Sequence, residues 1–551
     1  MSESATLPAW FTARRTTRLL GVAWAALLLL RGLLLGHGAL ADYDERRYFQ
    51  SLAAVRALAH GEYHAAAYAL SMTAARPVDA LWRCLPAAGQ LALQRWAGWD
   101  VYDYPSLLLP TTLNWLTTLL AAWVFYDICR RLLADVVAGP QWALVAAVLY
   151  ASLANTSLYV RHVLPYDSAL LLFLGLMRWV LQQPAAPRAP WFWLQLGVGA
   201  GLLWLFYPGY YAGPVLLVAP LLDWQRPLRW AWAHAAGLLA LGAGFSTPLL
   251  AAELLSRAGG APPFWAVSYD LSLHILQGAP AEGYTFLLSY LWRVERGLGA
   301  LLLALLALAL GQEVASLKQG GWAALLPRTP RQRVLVAALL LFLTHATAAA
   351  VGHRIVWYGR LLHLYLPWLV LAGVAALAGV RCAWVAGAGL AGCLVGLVSY
   401  GLFFRAYQLL AYPPDVIAAY QLRCVPTRQL RYREQVRVTE GLRFPVRGEH
   451  TPRPAACPPA AADSLTLLIN FAVLYPLTPA TRRPVALPDR AARLLVDGPH
   501  YLAFPAYEFE GLSPAERAEA ERQQFRLQVL RVAAIPRKAR VALPLRQPGG
   551  L

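Results

Sequence analysis

Long apolar runs separated by short polar loops extend from near the start of the chain to about residue 404. A run of roughly 20 predominantly apolar residues is long enough to cross a bilayer as a helix. By this rule the pattern predicts about eleven membrane-spanning helices, at 18–40, 106–129, 141–160, 167–183, 191–206, 208–223, 230–252, 297–313, 333–352, 360–380 and 383–404. The predicted fold class is therefore an all-α polytopic membrane protein.

Two features of this pattern bear on the number of spans. The runs 191–206 and 208–223 meet at Tyr207-Pro208-Gly209, so they are either two spans or a single re-entrant pair. No small-residue cleavage site follows the first apolar run, which indicates a retained span rather than a removable signal peptide.

Two of the polar segments between the runs are long enough to be external loops, at 41–105 and 253–296. In the first loop, apolar residues at helical spacing predict a helix lying along the bilayer surface, at Tyr48, Leu52, Val55 and Ala59. Pro77 and Pro86 are predicted to begin two further short helices, because proline suits the first helical turn. The second loop is rich in Pro, Gly and aromatic residues, a composition suited to covering a site.

Hydropathy falls after residue 404, and Pro413-Pro414 marks a domain boundary. We therefore divide the chain into a transmembrane domain at 1–405 and a C-terminal domain or tail at 406–551. The second part is predicted to be small, α+β and extracytoplasmic.

Local patterns within the C-terminal region predict a few elements. A strand is predicted at 465–473, and alternation of apolar and polar residues predicts another at 525–532. Ser513-Pro514-Ala515-Glu516 has the residues of a capping box and predicts the start of a helix. Cys424 and Cys457 either form a disulfide in an oxidising compartment or stay as free thiols.

Composition agrees with a membrane-embedded class. Of the 551 residues 58% are hydrophobic and 14% are charged, against about 25% charged in soluble domains. The net charge is +19, but the arginines cluster in short loops, so we interpret them as topology determinants and lipid or phosphate contacts. We expect no nucleic-acid partner. The six cysteines have no metal-type spacing.

The basic loops also predict an orientation. If the eleven spans alternate, one set of basic residues beside the spans falls on a single side, namely Arg14, Arg15, Arg18, Arg130, Arg131, Arg188, Arg226, Arg229, Lys318, Arg328, Arg331, Arg333 and Arg381. The positive-inside rule makes that side cytoplasmic. The 41–105 loop and the C-terminal region then face the periplasm or exterior of a cytoplasmic membrane.

Three acidic residues, Asp42, Asp44 and Glu45, follow the first apolar run immediately. One interpretation is structural, because Asp42 as N-cap with Glu45 three residues later resembles a capping box. The other is functional, because ionised groups at a membrane surface are costly and a positioned carboxylate is suited to act as general base or metal ligand. The two interpretations are compatible.

Two further polar clusters are predicted on the same external side. Arg161 and Asp167 lie between the third and fourth spans, where Asp167 either caps the fourth span or joins a shared site. Arg354 and Arg360 lie before the tenth span, where arginine is suited to capture a phosphate but is also common as a snorkelling residue. We expect Asp42, Asp44, Asp167 and either Arg354 or Arg360 to converge on one outward-opening cavity.

Together the three clusters resemble the GT-C superfamily of membrane glycosyltransferases, and more narrowly the branch of protein O-mannosyltransferases and bacterial lipid A aminoarabinose transferases. Members carry an Asp-Glu pair in the first external loop with a Tyr shortly after it, which Asp44, Glu45 and Tyr48 match. The Arg and acid that members tend to carry at the turn between spans three and four are matched by Arg161 and Asp167.

Members of this family also carry a late Arg-aromatic segment followed by Leu-Pro, which residues 360–367 resemble. The resemblance covers about residues 15–405. It departs from the family at Arg46-Arg47, where small residues are usual, and at His363 and Tyr365, which replace a tighter Arg-Tyr pair.

The resemblance implies transfer of a sugar from a polyprenyl-phosphate donor to a hydroxyl of a glycan, lipid or protein acceptor, with inversion. It implies Asp44, or alternatively Asp42, as the general base. Glu45 and Asp167 would position the acceptor or hold Mg²⁺ or Mn²⁺, which prefer oxygen ligands. The other substrate-binding residues implied are Tyr48, Arg161, Arg354 and Arg360.

Two other classes compete with this interpretation. A polytopic transporter or flippase of cell-envelope precursors would also be apolar and basic, but such proteins often show internal repeats and ionisable groups near the bilayer midplane. A non-catalytic assembly subunit would use its C-terminal region to dock partners.

Overall fold

The computed structural model describes residues 8–36, 45–73, 76–97, 108–183, 189–277, 284–321, 326–352, 359–380, 384–408, 464–470, 492–497, 506–508, 517 and 527–533. Within these ranges the chain is predominantly helical, as its apolar periodicity predicts. The α-helices are α1 Ala9–Thr12, α2 Arg14–Leu30, α3 Tyr48–Ala59, α4 Tyr63–Ser71, α5 Pro77–Ala97, α6 Leu108–Leu132, α7 Gly139–Ala151, α8 Tyr166–Leu181, α9 Pro190–Phe206, α10 Gly213–Val218, α11 Pro227–Ala233, α12 Ala235–Ala258, α13 Phe264–Gln277, α14 Thr285–Tyr290, α15 Arg296–Gly320, α16 Pro330–Ala350, α17 Gly359–Leu362, α18 Leu366–Gly379 and α19 Trp384–Phe403.

In the described part of the chain, six helical segments are long and apolar enough to cross a membrane, at Arg14–Leu34, Leu108–Leu132, Ala235–Ala258, Thr285–Gln319, Pro330–Ala350 and Trp384–Ala406. This is the architecture of a helical membrane protein. Apolar side chains on these segments face outward, as lipid contact requires. On α19, for example, Leu394, Val398 and Leu402 form one stripe, and each is more than half exposed.

The remaining predicted spans correspond to shorter pieces. The segment 208–223 contains one six-residue helix, α10, between two 3₁₀ turns, because its Pro and Gly residues interrupt a regular helix. Helices α9 and α18 are apolar but have 17 and 14 residues. The predicted external loop at 253–296 is helical over most of its described length, in the end of α12, in α13 and in α14.

One predicted helix ends earlier than expected. The apolar run 141–160 suggested a span, but α7 ends at Ala151 and the backbone from 152 to 165 forms turns until α8 begins. Ser and Thr side chains in this stretch bond to the backbone locally, as Thr156 Oγ1 does to the Leu153 carbonyl at 2.9 Å. Such bonds compete with helical hydrogen bonds. We call residues 152–165 the polar turn.

The prediction for Pro86 was wrong. Pro77 begins α5 as predicted, but Pro86 lies inside the same helix rather than starting another. The ring of Pro86 removes one backbone donor, which ordinarily ends or kinks a helix. Packing of α5 residues such as Ala80, Ala87 and Leu91 in the protein interior favours the continuous helix over the local preference of proline.

Glycines allow α9 to pack closely along α12. A Cβ added at Gly197 or Gly201 would collide with the backbone carbonyls of Leu241 and Phe245, and one added at Gly244 would collide with the Leu194 carbonyl. Small residues four apart on a helix face permit this close backbone contact. Because lipid removes the hydrophobic driving force between helices, van der Waals packing of this kind stabilises their association.

Helices α6 and α8 run side by side in the same direction. Near the middle of α6 and the start of α8, Thr118 Oγ1 donates to Asp167 Oδ2 at 3.3 Å. Near their C-terminal ends Arg178 Nε donates to Asp127 Oδ2 at 2.7 Å. At the helical rise these two contacts are about 15 Å apart along the helices. The pair therefore connects two distinct polar regions.

The C-terminal end of this pair carries basic side chains. Asp127 also accepts hydrogen bonds from Arg130 and Arg131, at 2.9 and 3.0 Å. Arg331 on α16 pairs with Asp135 at 3.0 Å. The basic ends of α6, α8 and α16 are thus adjacent, while the polar turn lies at the opposite end of α6 and α8.

Strands β1 Ser464–Asn470, β2 Ala492–Asp497 and β3 Leu527–Ala533 form an antiparallel sheet in the order β1-β3-β2 within the described part of the C-terminal region. Leu467 and Leu494 both lie opposite Leu530, and the register shifts between Leu494 and Val496. Strands β1 and β3 overlap the predicted strands at 465–473 and 525–532. The predicted helix start at Ser513 and the pair Cys424 and Cys457 lie outside the described residues.

Candidate active site at the polar turn

The polar turn is held by buried side chains from distant helices. Arg31, which follows α2 and is fully buried, donates to the Thr156 carbonyl at 2.9 Å and to the Thr156 hydroxyl at 2.8 Å. Glu295 accepts from the backbone N–H of Ala154 at 2.7 Å and of Asn155 at 3.1 Å. Irregular backbone at membrane depth must be satisfied by protein groups, which explains why charged side chains are placed here.

The second half of the turn is bound by Asn114 on α6 and Arg83 on α5. The Asn114 amide donates to the carbonyls of Tyr159 and His162, at 3.2 and 2.6 Å. Arg83 donates to the Asn114 side-chain oxygen at 2.8 Å and to the Leu164 carbonyl. Arg83 also pairs with Asp79 one turn earlier on α5, at 3.3 Å. The 41–105 segment is therefore anchored on the turn.

Replacing Arg83 with Met tests this anchoring. Arg83 is 2% exposed, and its loss leaves buried Asp79 and Asn114 without their hydrogen-bond donor. We expect the free energy of unfolding to fall by about 3 kcal/mol, as for other broken buried ion pairs. Chemical unfolding in detergent micelles measures it.

The matched control is Arg257→Met. Arg257 pairs with Glu253 at the same spacing on α12, but its side chain is 71% exposed. Surface pairs contribute little, so this variant should unfold at the same denaturant concentration as the unsubstituted chain. Equal destabilisation of the two variants would contradict the anchoring role of Arg83.

Glu45 meets the polar turn directly. Its Oε1 lies 2.8 Å from His162 Nδ1 and accepts from the Val163 N–H at 3.3 Å. The Glu45 side chain is fully buried. The first predicted cluster and the second are therefore in contact at this point.

Asp167 begins α8 and faces a histidine from a third region of the chain. His363 Nε2 lies 3.5 Å from Asp167 Oδ1, and His363 Nδ1 lies 2.9 Å from the Tyr210 hydroxyl. All three side chains are buried. Because α8 starts at Tyr166, Asp167 lies in its first turn, where the helix dipole favours a negative charge.

Arg360 packs against the residue before Asp167. Its Nη1 donates to the Tyr166 hydroxyl at 2.8 Å, and its guanidinium lies 5.4 Å from the centre of the Tyr166 ring. Arg360 is 7% exposed. Glu45 thus contacts the polar turn, and Arg360 contacts Tyr166, the first residue after it. Asp167 is the second residue after the turn, so the three residues that the sequence singled out lie at the same place.

A carboxylate from the C-terminal region completes the cluster. Glu508 accepts from the Tyr159 hydroxyl at 2.6 Å and from the Tyr290 hydroxyl at 2.9 Å. It is fully buried. Burial raises the pKa of the Glu508 carboxyl above its usual range, although the hydrogen bond from Tyr159 and the nearby positive charge of Arg360 oppose the shift.

This raised pKa predicts that docking of Glu508 depends on pH. Since the carboxyl binds its proton more tightly when docked than when free, the docked form is favoured at low pH and loses stability as pH rises through the docked pKa. One linked proton changes the docking equilibrium by at most about tenfold per pH unit. Amide exchange of a peptide containing residues 506–508, corrected for intrinsic rates, should show less protection at pH 8 than at pH 5.5. Protection that grows with pH would contradict the shift.

The other predicted site residues are distributed as follows. Asp42, Asp44 and Arg354 lie outside the described residues. Tyr48 is buried, and its hydroxyl donates to Gln90 at 3.1 Å. Arg161 is buried and donates to the Gln408 carbonyl at 3.4 Å. Tyr48 and Arg161 thus have contacts that hold the 41–105 segment and the end of α19 in place.

The predicted divalent-cation ligands, Glu45 and Asp167, make other contacts. Glu45 binds His162 and Val163, and the Asp167 oxygens face Thr118 and His363. Among the described residues no group of three or more His, Cys, Asp or Glu side chains could hold a metal ion. The predicted Mg²⁺ or Mn²⁺ site stays a prediction, and the reaction proposed below has no step that depends on it.

Charged residues of the site that were missed from the sequence include Arg31, Arg83, Glu295 and Glu508. Arg31 had a visible signal, because it interrupts an apolar run, and a charge there needs a partner. Glu295 was assigned to a loop, although it lies in a helical turn joining α14 to α15. Glu508 had no local signal, because its role depends on tertiary contact alone.

Comparison with known proteins leaves the family open: no protein-family model, no curated protein and no solved structure matches the chain.

Proposed function

We propose that the chain is a glycosyltransferase that moves a sugar from a polyprenyl-phosphate carrier to an acceptor hydroxyl at the outer face of the cytoplasmic membrane. One observation carries the proposal. Glu45, Asp167 and Arg360 come from three distant stretches and lie buried around a single turn. Buried charged groups inside a membrane protein are costly, and they commonly mark a functional site.

The proposed reaction is a direct displacement. A carboxylate, for which we propose Asp44, takes the proton of the acceptor hydroxyl as its oxygen attacks the anomeric carbon. The bond from that carbon to the phosphate oxygen breaks, and the configuration inverts. The leaving phosphate keeps the electron pair and is stabilised by Arg360, whose guanidinium suits phosphate oxygens.

Other residues of the cluster hold the substrates in this proposal. Glu45 is bonded to Asp44 in the chain and is fixed by His162 and Val163. Asp167 is held by Thr118 and His363, and in this proposal it positions the acceptor by exchanging one of these contacts for the acceptor hydroxyl. Asp42 is the alternative base. Holding two reactants in register supplies a large part of the rate acceleration of group-transfer enzymes.

The proposed membrane arrangement retains eleven crossings, in which the shorter helices α7 to α10 and α18 complete the bundle. The adjoining basic ends of α6, α8 and α16 would face the cytoplasm by the positive-inside rule. The polar turn, at the opposite end of α6 and α8, would then face outward. The C-terminal α+β region would lie on the same outer side.

A deletion strain tests the function. We expect mass spectrometry of its surface glycans, glycolipids and glycoproteins to show the loss of one sugar modification, which returns when the unsubstituted chain is supplied. The donor, a polyprenyl-phosphate sugar, should accumulate in the lipid extract of the deletion strain. Unchanged glycans together with an unchanged lipid extract would contradict the proposal.

A further inference from the structure

Glu508 fills a small polar pocket between three helical regions. Tyr159 of the polar turn and Tyr290 of α14 each donate to one of its carboxylate oxygens, at 2.6 and 2.9 Å. Gly359 leaves the space for this carboxylate, since a Cβ at that position would collide with it. The next residue, Arg360, is close enough for its positive charge to act on Glu508.

Aromatic contacts hold the neighbouring C-terminal residues at the same place. The Tyr507 ring lies 5.8 Å from that of Phe286 and 6.1 Å from that of Tyr290. The Arg517 guanidinium lies over both Phe286 and Tyr507, at 5.0 and 4.9 Å. Arg517 is buried. The C-terminal region therefore inserts a carboxyl side chain into the site and does not merely lie on its surface.

The pocket's chemistry does not distinguish a carboxylate from a phosphate. Both anions present only acceptor oxygens, and the pocket offers tyrosine hydroxyls and a guanidinium, which are suited to either. Both carboxylate oxygens of Glu508 are already bound by these hydroxyls. A phosphate group cannot occupy the same donors while Glu508 remains docked.

We propose that the pocket formed by Tyr159, Tyr290 and Arg360 binds a phosphate group, and that Glu508 is an internal competitor which must leave before the phosphate enters. Residues 506–508 then leave the pocket when the phosphate group binds. The inference rests on the proposed function only in taking the phosphate to be lipid-linked. The pocket and its occupation by Glu508 do not depend on sugar transfer.

Binding to the full-length chain in lipid nanodiscs tests this competition. The probes are farnesyl phosphate, farnesol and inorganic phosphate, and the measurements are affinity and amide exchange of a peptide containing residues 506–508. Farnesyl phosphate should increase exchange in this peptide, whereas farnesol should not. If inorganic phosphate has the same effect at equal concentration, the phosphate group alone is the ligand. If only farnesyl phosphate has the effect, the ligand includes the lipid chain as well.

Variants of Glu508 give the sharper prediction. Glu508→Gln should bind farnesyl phosphate about tenfold more tightly, because its side chain has one acceptor oxygen in place of two and competes less well for the two tyrosine hydroxyls. Glu508→Ala should also bind more tightly. It serves as the second variant because the glutamine amide of Glu508→Gln can still enter the pocket, whereas alanine cannot. Tyr290→Phe should weaken both phosphate binding and protection of the peptide. Glu62→Gln removes an equal charge from an exposed position on the first external loop and should change neither.

Two results would overturn the proposal: protection of the peptide unchanged at the highest farnesyl phosphate concentration, or equal or weaker binding by the Glu508 variants. Absence of farnesyl phosphate binding in every variant would overturn it as well. Because the assay measures binding, it can succeed for a chain that transfers no sugar and fail for an active transferase. Its outcome is therefore separate from that of the deletion strain.

Discussion

Replacing Asp44 with asparagine is expected to lower the rate of sugar transfer by about 10²- to 10⁴-fold while leaving the protein folded. Asparagine has nearly the same shape but cannot accept the acceptor proton, and general-base catalysis contributes an acceleration of this size. Donor binding should persist, because the phosphate contacts assigned to Arg360 are unchanged. The measurement is the rate of transfer from polyprenyl-phosphate donor in membranes at saturating donor, with donor binding measured separately.

Asp42→Asn is the companion variant, because Asp42 is the alternative base. The variant with the larger fall in maximal rate identifies the base. Glu62→Gln serves as the charge-matched control and should leave the rate unchanged, since Glu62 is an exposed residue of the same external segment. Full transfer activity in both aspartate variants would remove the first cluster from the mechanism.

Replacing Arg360 with methionine is expected to lower kcat/KM for the donor by about 100-fold. The reason is that removing one partner of a buried, hydrogen-bonded charge pair costs a few kcal/mol, here the contact between the guanidinium and the leaving phosphate. Lysine at this position should restore only part of the loss, because it keeps the charge but lacks the planar fork that binds two oxygens. Steady-state kinetics with varied donor concentration separate the effects on KM and kcat.

Arg405→Met is the matched control for this prediction. Arg405 lies in the helical turn after α19 and is exposed, whereas Arg360 is 7% exposed. Its loss should leave donor kinetics unchanged. If both variants lose activity equally, general surface charge and not a phosphate contact explains the effect.

Apolar periodicity was sufficient to predict the helical membrane architecture. The convergence of Asp42, Asp44, Asp167 and an arginine on one outward-opening cavity stays a prediction, because Asp42 and Asp44 lie outside the described residues. The charged residues themselves were singled out by the rule that buried charges require a partner. Glu45, Asp167 and Arg360 stood out because each is an ionisable residue at the end of an apolar run. Hydropathy marks such positions whatever the tertiary structure.

The polar turn could not be predicted by the same means. Residues 152–160 are apolar enough to continue α7, and the decision against a helix depends on partners far away in sequence. Arg31 and Glu295 bind backbone groups that a helix would have satisfied by itself. A hydropathy window contains no information about such partners, so the end of α7 at Ala151 was missed.

Glu508 shows the same limit more strongly. Nothing around it in sequence differs from an ordinary polar tail, yet its carboxylate is fully buried between Tyr159 and Tyr290. Pro86 shows the opposite case. Its local preference to begin a helix is clear, but packing along α5 overrides it. Sequence patterns predict secondary structure well where local interactions determine it. At the polar turn and at Glu508, contacts between distant residues determine the structure instead.

The sidedness of the first loop tests the account most directly, because sugar transfer at the outer face requires the polar turn and its acids to face outward. Reporters inserted at Gly61, in the exposed turn between α3 and α4, measure it in the full chain. We predict that alkaline phosphatase inserted there is active and that green fluorescent protein is dark. A fluorescent insertion with an inactive phosphatase would place the site in the cytosol and contradict the account.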